Sequence, residues 1–124
     1  MIAADTSSLI AYFSGRSGKD IETLEWSFEN KQITLPPVVL TELLSDPKLP
    51  EKIKNLFLGV PVLTVMDGYW ERAGLTRAKL ISFHVKAKLA DTLIAQSCMD
   101  YDFPLITRDR DFRHFTQLGL NLLP

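Results

Sequence analysis

Asp109 and Asp111 come directly after a short apolar run, Leu105-Ile106-Thr107, with Arg108 and Arg110 interleaved. Asp5 ends another such run, Ile2-Ala3-Ala4, and is followed by Thr6 and Ser7. Asp91 stands near the start of an apolar stretch, and at about 3.6 residues per turn it shares a helix face with Ile94, Ala95 and Cys98. Glu42 falls with Thr41 and Ser45 on the polar side of the segment Val38–Leu44. Each acid taken alone has a plainer reading, as a helix cap, a turn residue or part of a solvated face. Gathered in one place they would do something else. Two carboxylates about 4 Å apart repel by roughly 4 kcal/mol at an effective dielectric near 20. Either some of them protonate, or a hard divalent cation sits among them. A set of oxygen ligands with no cysteine or histidine cluster selects Mg²⁺ or Mn²⁺ over zinc. Cys98 is mid-helix, and His84 and His114 are isolated, so none of the three is expected in the chemistry.

The elements around these acids alternate between strand and helix. Ile2 to Asp5 reads as a first strand, followed by a short helix through Phe13 capped by Ser7 or Ser8. A loop at Ser14–Gly18 precedes an amphipathic helix from Asp20 to Phe28. Gln32–Leu35 is a second strand, stopped by Pro36-Pro37, and Val38–Leu44 a helix ended by Ser45-Asp46-Pro47. Glu51–Leu58 is helical, Val62–Val65 a third strand, and Gly68 to about Lys79 helical again. Ile81–Lys88 is ambiguous. From Leu89 to about Asp100 the helix is apolar on nearly all sides, which marks it as central and buried. Leu105–Thr107 is a strand, Arg110–Phe115 a short helix and Leu120–Leu123 a last edge strand. Phe112 and Phe115 are read as core. This grammar predicts an α/β fold: a mainly parallel sheet flanked by helices on both faces. In such sheets ligands bind where strands end, which is where Asp5 and Asp109 fall.

The 124 residues form one expected domain, residues 1–124, large enough to bury a core without disulfides. With 23% charged and 46% hydrophobic residues, disorder is excluded. The single cysteine allows no internal disulfide, so a reducing cytoplasm is the expected compartment. The opening residues lack the pattern of a signal peptide, and no apolar run is long enough to span a bilayer. A net charge of −1 says little about nucleic acid, for which local clusters count.

Four segments carry a resemblance: Ala4-Asp5-Thr6-Ser7-Ser8-Leu9-Ile10, Pro36 to Leu44 around Thr41-Glu42, Leu89-Ala90-Asp91-Thr92-Leu93-Ile94-Ala95, and Leu105 to Phe112. In this order and at these spacings the chain resembles the PIN-domain nucleases, and specifically VapC-type toxins of type II toxin–antitoxin pairs. The resemblance implies that Asp5, Glu42, Asp91 and Asp109 form the acidic site, with Asp5, Asp91 and Asp109 on the metal. Thr6 or Ser7 and Thr107 match supporting polar residues, and Asp111 matches a further acid. Lys86-Ala87-Lys88 departs from the pattern, which leads one to expect a glycine-containing turn before Asp91.

The activity implied is that of a metal-dependent endoribonuclease, using Mg²⁺ or Mn²⁺, with structured RNA such as tRNA as the expected substrate. Glu42 would position or deprotonate the attacking water, and the products would carry 5′-phosphate and 3′-hydroxyl ends. Arg108, Arg110, Lys86 and Lys88 are the residues expected to hold RNA phosphates. The resemblance also implies a homodimer and a cognate VapB-type antitoxin, with Ser8–Phe13, Ile21–Phe28 and Lys48–Leu58 as candidate walls of its groove. Two other classes compete with this one. A phosphatase of the haloacid dehalogenase type wants a second Asp two residues after the first, where Ser7 stands. A PIN-like module that binds RNA or a partner without cutting would not need all four acids.

Overall fold

The computed structural model describes residues 1–124, and every expected helix is present. The order is β1 (Ile2–Ala4), α1 (Thr6–Phe13), α2 (Lys19–Glu29), β2 (Ile33–Thr34), α3 (Pro37–Leu44), α4 (Glu51–Leu58), α5 (Tyr69–Ser82) and α6 (Leu89–Tyr101). Then come β3 (Leu105–Ile106), a 3-10 helix over Arg110–Leu118 and β4 (Leu122–Leu123). The four strands pair in the order β2-β1-β3-β4, all parallel. The crossover from β1 to β2 runs one way across the sheet and the crossover from β2 to β3 runs back. Right-handed connections therefore put α1 and α2 on one face and the later helices on the other.

The strand register places the acids. Ala3 pairs with Leu105 and Ala4 with Ile106, and the Asp5 amide donates to the Ile106 carbonyl at 2.9 Å. One residue beyond, Asp5 and Thr107 must leave the sheet side by side. Ala3, Ala4, Leu105 and Ile106 are fully buried, which fixes this register because any slip would expose them.

The helix that carries Asp91 is held just as firmly. Ile94, Ala95 and Cys98 of α6 are in the core, and a polar seam joins α6 to α5. Arg72 forks onto Asp100 at 3.0 and 2.6 Å, Thr76 donates to Gln96, and the Tyr69 hydroxyl donates to the Leu93 carbonyl. These directional, part-buried contacts favour one register between the two helices. Burial pushes the Cys98 thiol up to about 12, so it is an inert core residue, as expected.

Three local expectations are corrected. Val62–Val65 does not form a strand: only Val62 bridges, to Leu35, because Pro36-Pro37 starts α3 at once and leaves β2 no length to pair. The α1 cap is not Ser7 or Ser8. Asp5 occupies that position without a side-chain capping bond, while Ser8 donates to Asp20 and Ser7 to Asp5. The ambiguous Ile81–Lys88 segment is the end of α5, a turn at His84 with φ 61°, and an extended approach to Leu89. Arg77 donates to the Ala87 carbonyl there, so α6 starts on schedule without the expected glycine.

Candidate metal centre

Asp5 is 5% exposed and sits where β1 ends. Its Oδ2 accepts from two hydroxyls, Ser7 at 2.9 Å and Thr107 at 2.8 Å. Each hydroxyl has a single proton, and both protons are given to Asp5. The free lone pairs then accept from the chain: the Arg108 amide donates to Ser7 Oγ and the Asp109 amide to Thr107 Oγ1, both at 3.0 Å. The 3.2 Å approach of the two hydroxyls is thus a shared seat on Asp5. Asp5 Oδ1 has no protein donor, and since no buried side-chain oxygen lacks a partner, it is open to solvent.

Asp109 is the N-cap of the 3-10 helix, and its Oδ1 accepts from the Asp111 amide at 2.9 Å, which fixes the Asp109 carboxylate over the first turn. Phe112 and Phe115, fully buried, anchor this helix; each contributes about 1.5–3 kcal/mol of burial. Asp91 lies in the first turn of α6, where the helix dipole favours negative charge. The result is a cluster: Asp91, Asp109 and Asp111 each offer a carboxylate oxygen, and these atoms lie within 4.8 Å of one another. Burial first, then the charges of Asp109, Asp5 and Asp111, push the Asp91 carboxyl up to about 6. Lys88 pulls the other way; its ammonium reaches Asp111 at 3.7 Å. Oxygen ligands in this number, pressed together against their own repulsion, fit a hard divalent cation.

Of the acids expected to hold the metal, Asp91 and Asp109 are in this trio, Asp5 is not, and Asp111 completes it. Glu42 is also outside it: it is exposed on α3, and its Oε1 accepts from Thr6 Oγ1 at 3.1 Å. The two hydroxyls that sequence could not separate therefore have different tasks: Ser7 seats Asp5 and Thr6 seats Glu42. Thr6 adjoins Asp5, so Glu42 is tied to the rim of the acidic cleft.

The basic residues divide. Arg108, expected to meet phosphate, instead forks onto Asp20 at 2.6 and 3.0 Å and donates to the Ser17 carbonyl at 2.7 Å. Lys88 is paired with Asp111, while Lys86, Arg110 and Arg113 are exposed and have no acid partner. Sequence reasoning misses Asp20, whose signal is an acid in the first turn of α2, one turn before Leu24 on the same face. Neither His84 nor His114 hydrogen-bonds an acid through its ring.

A family model described as the PIN domain matches residues 2–118. The chain belongs to the PIN domain family. Comparison with curated protein sequences gives no match. Among solved structures, a chain of VapBC2 from Rickettsia felis, bound to a DNA fragment from its promoter, is similar at TM-score 0.76 and 21% identity, covering 99% of this chain and 98% of that one. A chain of VapBC-1 from nontypeable Haemophilus influenzae is similar at TM-score 0.78 and 19% identity, covering 99% and 97%. A toxin–antitoxin complex from Klebsiella pneumoniae gives TM-score 0.72 and 19% identity, covering 100% and 97%. At such identities the likeness establishes the fold.

Proposed function

We propose that this chain is a VapC-like endoribonuclease, dependent on Mg²⁺ or Mn²⁺ and held inactive by a cognate VapB-type antitoxin. The observation that carries the reading is the convergence of Asp91, Asp109 and Asp111 within 4.8 Å, beside a buried Asp5 whose Oδ1 is free. Asp5, Asp91 and Asp109 would hold the ion, with Asp111 as a further acid within reach. When bound, a divalent cation neutralises phosphate oxygens and makes water a better nucleophile.

The chain's own residues do the rest. Ser7 and Thr107 fix the Asp5 carboxylate so that it need not reorganise when substrate arrives. Glu42, with Oε1 held by Thr6, has Oε2 free to take the proton from the attacking water. Water attack needs no 2′-hydroxyl, so the products carry 5′-phosphate and 3′-hydroxyl ends. Structured RNA such as tRNA is the substrate class proposed. Lys86, Arg110 and Arg113, exposed and free of acid partners, favour an anionic one.

Two features support partners. Trp70 and Ile81, 62% and 50% exposed, share one face of α5 and suit a homodimer contact. A groove of about 220 Å³ between α1, α3 and α4, apolar on its floor and bounded by Glu42 and Asp46, suits an antitoxin segment with apolar and basic side chains. No helix is long and apolar enough to cross a membrane, and the cytoplasm is the compartment proposed.

The test is incubation of the purified protein with tRNA in Mg²⁺, Mn²⁺ or EDTA, beside Asp5→Asn. Cleavage confined to the wild type with metal is expected. Cleavage that survives both EDTA and the substitution would overturn the metal mechanism.

A further inference from the structure

The two cavities that border the acidic cleft differ in charge. The groove toward α3 and α4 is lined by Glu42, Asp46 and apolar side chains, and no lysine or arginine contributes to it. On the other side, past the end of β4, an open cavity of about 380 Å³ is lined by Thr107, Arg108, Asp109, Arg110, Arg113 and the chain from Leu122 to Pro124. Arg108 is committed to Asp20, so it closes one wall. Arg110 and Arg113 have neither an ion pair nor a hydrogen-bond acceptor. They stand three residues apart on a 3-10 helix, where side chains at i and i+3 eclipse, so both project from the same edge.

Two guanidinium groups held together without an internal partner are an anion site waiting for its anion, and a fork geometry suits phosphate oxygens. The position of Asp109 specifies which anion. Asp109 lines this cavity and is also one of the three clustered carboxylates, so the cationic and acidic sites share a wall. A ligand engaging both must carry anionic groups in series, one over the cation-binding acids and the next over the arginines. A nucleic-acid backbone has that repeat. Half-buried Leu122 and Leu123 add apolar surface against which a ribose or base can lie.

We infer that the Arg110–Arg113 cavity binds the backbone phosphate next to the scissile one, so that the RNA strand leaves the cleft over the 3-10 helix and the β4 edge and not across the α3–α4 groove. The inference deepens the proposed ribonuclease reading, and its scissile phosphate rests on that reading. It also leaves the α3–α4 groove clear of substrate.

The test compares wild type, Arg110→Ala/Arg113→Ala and the charge reversal Arg113→Glu. Binding of a labelled single-stranded RNA is read by fluorescence anisotropy in EDTA across a salt series, Mn²⁺ affinity by calorimetry, and cleavage in Mg²⁺. In the double variant, RNA affinity should fall about tenfold to a hundredfold, on the order of a factor of ten per lost charged contact. The slope of log affinity against log salt should become shallower by about 1.4, roughly 0.7 per phosphate contact on a single strand. Mn²⁺ affinity should hold, and KM should rise more than kcat falls. Arg113→Glu should weaken RNA further than Arg113→Ala.

Unchanged RNA affinity, salt slope and KM in a wild-type-like fold that still cleaves would overturn the cavity and leave the ribonuclease standing. A wild type that binds RNA through these arginines but cuts nothing in any metal would overturn the ribonuclease and leave the cavity standing. If RNA does not bind while a labelled acidic peptide binds and is lost on substitution, RNA is the wrong occupant.

Discussion

Arg108 and Asp20 are 88 residues apart in sequence and joined by two hydrogen bonds, Nε to Oδ2 at 2.6 Å and Nη2 to Oδ1 at 3.0 Å. The same arginine donates its backbone amide to Ser7, which donates to Asp5. Two residues, Arg108 and Ser7, thus stand between Asp20 and Asp5, and Asp20 acts by pinning the loop that carries Thr107 and Asp109.

Asp20→Asn should therefore weaken function without touching a ligand. Metal affinity should fall about tenfold, within the range for residues that orient ligands. Hydrogen bonding from Arg108 is the main reason the Asp20 carboxyl lies below its ordinary value of 3.8. Stability from the pair is thus present above that value and lost as pH falls through the lower folded one. Urea midpoints of wild type and Asp20→Asn should differ at pH 7, keep most of that difference down to about pH 4, and draw together only as pH falls further toward the lower folded value.

Asp91 carries the opposite sign. Its carboxyl titrates near 6 in the fold against 3.8 when unperturbed, so the folded state binds the extra proton between those values. The stability this lends is full below about pH 4 and is lost as pH rises through about 6, amounting to roughly 1–2 kcal/mol after allowance for solvent screening. Without metal, the protein should lose stability over that window, and Asp91→Asn should flatten the profile. Saturating Mg²⁺ should flatten it too, by supplying the missing positive charge.

Glu42→Gln separates proton transfer from metal binding. Glu42 is exposed on α3 with Oε1 taken by Thr6, so Mn²⁺ affinity should stay within about twofold while kcat drops about 10²- to 10⁴-fold. A parallel loss of Mn²⁺ affinity would make Glu42 a ligand.

Ser7→Ala and Thr107→Val each take away one of the two donors on Asp5 Oδ2. Metal affinity should fall about 10- to 100-fold in each, and less than additively in the pair because both act on one oxygen.

Metal itself should stabilise the fold. At a concentration a hundred times the dissociation constant the gain is about 2.7 kcal/mol, read as a rise in Tm that EDTA reverses. Asp109→Asn should respond much less.

Much of the fold and of the candidate site's geometry is legible in the sequence, for reasons that differ by element. Asp91 stands out by an expensive location, a charge on the apolar face of a helix too hydrophobic to be at the surface. Asp5 and Asp109 are legible because an apolar run that ends in an acid marks a strand end in a parallel sheet. Thr6 and Ser7 cannot be told apart, since adjacent hydroxyls at a helix start differ only in direction, and direction is set by how α3 packs on α1. Arg108 reads as a phosphate contact because the residue that claims it, Asp20, is distant in sequence, and the burial of Asp20 beside Leu24 and Ser27 appears only once α2 is packed. Val62–Val65 has the composition of a strand, but pairing is a property of two segments, and Pro36 removes the second.

The strand order has a consequence for the ribosome. β3 lies against β1 in the middle of the sheet, yet it is translated after α1 through α6. While synthesis is under way Asp5 has no Thr107 to seat it, and Asp91 has neither neighbour with which to share a cation. On the proposed reading, no cleavage can begin until the segment from Leu105 to Asp111 has been made and has joined β1, by which time α1 through α6 are already translated.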